Sequence, residues 1–167
     1  MGSRSCDIAN ALVTAWSGAY AAARVSQNIV VSRTWYQVTK KAIATFPQFD
    51  HSNILANTVR VFVMSMEEQP SQEDDSRQLF MVEYPIQVGI AAYIKTNTPA
   101  DIDPLMQVSQ ELRDYCMQLS DPGYSLGIPE GVVGVPEILC DPDKDALATD
   151  KLFLSAFVLT FEGGRGR

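Results

Sequence analysis

Residues Leu79 to Leu119 constrain this chain more than any other stretch. They open L-F-M-V-E-Y-P-I-Q-V-G-I-A-A-Y-I-K, with Tyr84, Ile86, Val88, Ile90, Ala92 and Ile94 at alternate positions. A strand over these residues puts all six side chains on one face. The opposite face carries Pro85, Gln87, Gly89, Ala91, Tyr93 and Lys95, which is mixed and partly small. After T-N-T-P-A the period changes. Leu105, Val108, Leu112, Tyr115 or Cys116, and Leu119 recur every three or four residues, which makes one apolar stripe on a helix. Asp103 followed by Pro104 is a start signal: an acceptor for orphan N–H groups, then a residue whose missing N–H costs nothing. A one-faced strand followed by a one-striped helix buries the stripe on the sheet.

The rest of the chain is placed around that unit. A helix is expected from Asp7 to about Ala23, with Ile8, Leu12, Ala15, Trp16 and Ala19 on its apolar side. Asn28–Thr39 and Thr58–Met66 are rich in β-branched and aromatic residues and read as strands. Between them, Phe46-Pro47 and Asp50-His51-Ser52-Asn53 mark turns. Residues 67–76, E-E-Q-P-S-Q-E-D-D-S, are expected to form a protruding, flexible hairpin. Residues 120–151 are closely punctuated by Gly and Pro, and read as a long ordered excursion with a short edge strand around Val135–Leu139. Lys151–Glu162 is a closing strand that is apolar on both faces, so both sides should be covered. Residues 163–167, G-G-R-G-R, read as a flexible basic tail. The expectation is one α+β domain over residues 1–167. Its sheet is mostly antiparallel, of about four strands, with two helices packed on one face.

Composition narrows the classes of function. With 167 residues, 46% of them hydrophobic and 20% charged, the chain suits one domain with a sizeable core and is not disordered by composition. A net charge of −7 argues against non-specific nucleic-acid binding through a basic surface. No segment reaches the ~18 consecutive apolar residues of a membrane helix. Ile8–Ala23 is interrupted by Asn10, Thr14, Ser17 and Gly18 and does not read as a secretory signal. Cys6, Cys116 and Cys140 are odd in number and far apart, and are read as reduced thiols of a cytoplasmic protein.

Catalytic patterns are not found. His51 is the one histidine, and it lies in a polar turn. As a general base it would need a carboxylate such as Asp50, Asp101 or Asp103 gathered around it in a pocket. One histidine and three scattered cysteines give no close metal-ligand pair. No phosphate loop, dinucleotide fingerprint or nucleophile elbow is present. Glu67, Glu68, Glu73, Asp74 and Asp75 lack the alternating acidic spacing and glycine of a calcium loop. The expectation is no enzyme, no cofactor and no metal.

The order helix, strand, strand, acidic hairpin, strand, helix, long excursion, Phe-rich strand resembles the tail terminator proteins of long-tailed bacteriophages, also called tail completion or head–tail joining proteins. The segments that carry the likeness are T-V-R-V-F-V-M-S-M, Y-P-I-Q-V-G-I-A-A-Y-I-K with D-I-D-P-L-M-Q-V-S-Q-E-L, and K-L-F-L-S-A-F-V-L-T-F-E. The resemblance implies a virion protein at the head–tail junction, present in the host cytoplasm during assembly. It implies a hexameric ring that caps the tail tube protein, ends tube growth and joins the head connector, with DNA passing through the lumen without specific binding. It supplies no fixed site residues. The interface candidates are therefore physical choices: the acidic Glu67, Glu68, Glu73, Asp74 and Asp75, facing the lumen or the tube, and Phe153, Phe157 and Phe161 on the closing strand. A solvated hairpin with no role is the plain alternative for the first group. The alternatives for the whole chain are a connector stopper or tube protein, or a small cytoplasmic enzyme or ligand-binding domain.

Overall fold

The central pair of strands is built from the alternation noted above. In a computed structural model, which describes residues 3–18, 25–39, 41, 59–70, 79–120 and 126–166, the elements run as follows. Helix α1 is Arg4–Ser17, strand β1 Ile29–Thr34, β2 Val59–Ser65, β3 Gln69–Pro70 and β4 Leu79–Tyr93. Helix α2 is Pro99–Gln118, followed by β5 Gly131–Cys140, helix α3 Lys144–Asp150 and β6 Leu152–Gly166. The sheet order is β1-β2-β4-β6-β5, with the two-residue β3 paired to β4 off this path. β4 and β6 pair antiparallel along their full lengths, which sets Tyr84 opposite Phe161, Ile86 opposite Leu159 and Val88 opposite Phe157. These cross-strand pairs of large side chains are the unit that stabilises a sheet face.

That face is covered by α1 and α2. Ile8, Ala9, Leu12 and Trp16 of α1 and Leu105, Val108, Leu112 and Cys116 of α2 join the sheet residues in one buried cluster. The two helices meet where the Trp16 and Tyr115 rings pack edge to face, with centroids 5.9 Å apart. Both stripes follow the helical period, so burial on the sheet, more than propensity, holds these helices.

The opposite face is closed within the chain, at least in part. Val38, Phe62, Ala91, Ala146, Leu152 and Leu154 form a second, smaller buried cluster. Val38 lies across Gly89 in the middle of β4. A Cβ on Gly89 would lie 2.7 Å from the Val38 Cβ and Cγ2, so only glycine lets the crossing segment come this close.

The expected fold class is corrected in three respects. Three helices, not two, are present among the described residues, and five strands, not about four, lie along the sheet path. The sheet is mixed, because β1 pairs parallel to β2. The intervening residues 35–58 exceed the dozen or so that a parallel crossover needs. The fifth strand is β5, expected only as a short edge strand around Val135–Leu139 and ten residues long despite its Gly and Pro. Its register shifts between Val133 and Glu137, where Gly134 at φ 69° and Pro136 make the irregularity. A proline with no N–H is tolerated there because β5 is an edge strand. The extra helix, α3, is short. It starts at Asp143, whose Oδ1 accepts from the N–H groups of Asp145 and Ala146 at 3.0 and 3.1 Å, the usual role of an N-cap carboxylate.

Boundaries differ as well. α1 ends at Ser17, before Gly18, and residues 19–23 of the expected helix lie outside the described residues. α2 begins at Pro99 rather than at Asp103-Pro104: Pro99 takes the first helical position, and the Thr98 carbonyl, not its side chain, accepts from the N–H groups of Asp101 and Ile102. Of the expected hairpin, Gln69–Pro70 pairs with Glu83 and Val82 of β4, and residues 71–78 lie outside the described residues. The expected basic tail is a continuation of β6: Gly163 to Gly166 pair with Val82 to Leu79.

Candidate functional site

A ring of buried polar groups is the most chemically dense spot in the described structure. Ser109 of α2 and Ser155 of β6 are both 0% exposed, with their Oγ atoms 2.9 Å apart. Ser155 Oγ lies 2.9 Å from Asp141 Oδ1. Arg113 Nη1 donates to Asp141 Oδ2 at 2.7 Å and to Ser109 Oγ at 3.0 Å. Each hydroxyl has one hydrogen to give. The set closes if Arg113 donates to Ser109, Ser109 to Ser155, and Ser155 to Asp141, with the second Nη1 hydrogen on Asp141. Every member is then satisfied, the condition under which a buried polar network stabilises. The ring joins α2, β6 and the turn after β5. Its serines have no solvent access, and its hydrogen bonds clamp the three elements together.

A second clamp ties the start of β5 to α1. Arg4 Nε and Nη2 donate to Glu130 Oε1 and Oε2, both at 2.7 Å, in a two-pronged pairing. Burial alone would push the Glu130 carboxyl up, but the hydrogen bonds and charge of Arg4 outweigh it and hold Glu130 below its ordinary range. The Glu130 side chain crosses β6 at Gly163, where a Cβ would lie 2.7 Å from the Glu130 Cγ.

The candidates named from the sequence fall in different places. Glu67 and Glu68 are exposed after β2. Glu73, Asp74 and Asp75 lie outside the described residues, as do His51 and Asp50. Asp101 is engaged by the N–H and Oγ1 of Thr96, at 2.8 and 2.7 Å, and Asp103 is exposed on α2. Phe153, Phe157 and Phe161 are 0–1% exposed beneath the helices. Those three form the core, and the surface available to a neighbour lies on other residues.

That surface is on the strand that sequence reading treated as part of an excursion. On β5, Val133, Val135, Ile138 and Leu139 are exposed, Val135 at 72% and Ile138 at 54%. From the sequence, a short edge strand is expected here around Val135–Leu139, and the Gly and Pro of G-V-V-G-V-P-E-I-L-C hide its full length. At the other end of the sheet, Val30, Trp35 and Tyr36 are exposed on and just beyond β1, Trp35 at 65%.

A cleft of about 260 Å³ opens between the end of β4 and the start of α2, lined by Gln27, Tyr93, Lys95 and Asp101 with apolar neighbours. It is smaller than the ~300 Å³ at which ligand pockets begin. Among the described residues no group of three or more His, Cys, Asp or Glu is arranged to hold a metal. No helix among them is long and apolar enough to cross a membrane. No protein-family model and no curated protein matches the chain.

Proposed function

We propose that the chain is a structural subunit of a tailed bacteriophage, of the tail-terminator kind. Copies form a hexameric ring on the end of the tail tube, stop its growth and offer the other ring face to the head connector. The subunit belongs to the virion at the head–tail junction, assembles in the host cytoplasm and performs no catalysis. DNA passes along a lumen whose wall, in a chain of net charge −7, does not attract it.

The observation that carries this reading is the exposed apolar edge at β5. Val133, Val135, Ile138 and Leu139 lie together on an open strand edge. Pro136, Glu137 and the register shifts blunt this edge in part, yet four apolar side chains stay exposed on it, and an exposed apolar patch marks an association site. Two clamps fix it in place, Arg4 with Glu130 and Arg113 with Asp141, so the surface is pre-formed.

Native mass spectrometry and electron microscopy of the purified protein, alone and with tail tubes, test the reading. A terminator forms single rings and caps tube ends. Open-ended polymers of the isolated protein would instead identify a tube subunit. A protein that stays monomeric and ignores tube ends would remove the proposal.

A further inference from the structure

We infer that copies of this chain join head to tail through the two ends of the sheet, the β5 edge of one copy docking on the β1 edge of the next. The inference rests on the reading of the chain as an assembly subunit and names the interface. Among the described residues, β1 pairs only with β2 and β5 only with β6, so both edges are open. Each carries exposed apolar side chains: Val133, Val135, Ile138 and Leu139 at one end, Val30, Trp35 and Tyr36 at the other.

Charge selects the occupant. Residues 28–41 contain no carboxylate; of the described cations there, Arg33 is already bonded to Asn10 and Ser65 and stacked on Trp35, and Lys41 is exposed. Residues 130–145 contain Glu130, Glu137, Asp141, Asp143 and Asp145 against the single Lys144. Three of those acids are already committed, Glu130 to Arg4, Asp141 to Arg113 and Asp143 to the α3 cap. Glu137 is exposed on β5, between Val135 and Ile138. Placing β5 on β5 sets acid on acid, and placing β1 on β1 sets base on base. Both are disfavoured, whereas β5 on β1 brings opposite charges together around an apolar centre.

Strand direction agrees. β1, β2 and β6 run one way and β4 and β5 the other. Rotating a copy about an axis along the strands therefore sets β5 antiparallel to the next β1. Pro136 lacks an N–H, and the register of β5 shifts between Val133 and Glu137 and again between Ile138 and Cys140, so the docking at this edge rests on its exposed side chains more than on a continuous backbone ladder. A head-to-tail contact of this kind closes into a ring when the rotation per subunit divides a full turn.

Two full-length variants test the interface: Ile138→Asp on β5 and Trp35→Asp beside β1. Both positions are more than half exposed, so the fold should tolerate them, and circular dichroism checks this. Sedimentation velocity of wild type should show association that weakens as salt rises. Each variant alone should associate at least about tenfold more weakly. Mixed together, they should form a 1:1 complex and nothing larger, because one unmodified β5–β1 contact remains between them. If Trp35→Asp still assembles like wild type, or the mixture gives no complex, the β5–β1 interface is wrong while the ring reading survives. A wild-type protein that is monomeric at high concentration and also fails to cap tail tubes removes both.

Discussion

Arg113 reaches across 28 residues of chain to place Nη1 2.7 Å from Asp141 Oδ2. The pair is 18% and 13% exposed and closes the polar ring through Ser109 and Ser155. It fixes the turn between β5 and α3 against α2, which holds the candidate docking edge to the helical layer.

Breaking one member should therefore cost more than an ordinary surface pair. Arg113→Met leaves Asp141 charged, largely buried and held only by hydroxyls, and should lower stability by about 2–4 kcal/mol. Asp141→Asn should cost somewhat less, because it keeps the shape and removes the charge. The double variant should cost less than the sum of the singles, since it alone leaves no charge unpaired. Urea unfolding of the three variants checks this, and additive losses would show that the ring is not a coupled unit.

Gly89 and Val38 make a second prediction. A methyl at Gly89 would overlap Val38, so Gly89→Ala should destabilise by about 1–3 kcal/mol through overpacking. Val38→Ala removes the two γ carbons it meets and keeps the Val38 Cβ. The double variant should then recover part of the loss, measured by thermal or urea denaturation. A Gly89→Ala protein as stable as wild type would mean that the Val38 segment does not lie across β4.

What the sequence made legible was the side of the fold where one period dominates. Tyr84, Ile86, Val88, Ile90 and Ala92 alternate in the sequence and are all 0–4% exposed in the structure. The stripes of α1 and α2 were legible for the same reason. β5 was legible only as a short edge strand around Val135–Leu139, because Gly134 and Pro136 interrupt the pattern over its full Gly131–Cys140 length, and α3, with only seven residues, was not. Strand direction has no local signature at all, so the parallel β1–β2 pair could not be read. The phenylalanines of β6 show the limit for the site. An apolar strand says that both faces are covered, but not whether the cover is the chain's own helix or a neighbour. Here the helices cover Phe153, Phe157 and Phe161, and the exposed apolar residues lie on edge strands.

The Arg4–Glu130 clamp predicts a pH dependence. Glu130 is held below its ordinary value in the folded protein. Its contribution is therefore present above the unfolded value of about 4.3 and is lost as pH falls through the folded value. Glu130→Gln should be less stable than wild type at neutral pH by about 1 kcal/mol, a modest figure because the Arg4 side chain is 36% exposed. The gap should narrow as pH is lowered from about 6 to 3, followed by urea unfolding at each pH. A gap that stays constant over that range would show that the carboxylate charge does not stabilise the pair.

The three thiols should react in a fixed order, since their surroundings treat the thiolate differently. Burial alone would push Cys6 up, yet the hydrogen bond and charge of Arg33 outweigh it and bring the thiol below its ordinary value. For Cys140, burial and then the Asp143 carboxylate push it up. Cys116 is 0% exposed within α2's buried stripe, and burial pushes it far above the ordinary thiol range. Because the thiolate is the reactive form, iodoacetamide near neutral pH should modify Cys6 first and Cys140 more slowly. Cys116 should react only through opening of the core, so its rate should rise with sub-denaturing urea while that of Cys6 changes little. Peptide mapping by mass spectrometry over time reads all three. Equal rates at Cys116 and Cys6 in the native protein would mean that α2 does not pack on the sheet as described.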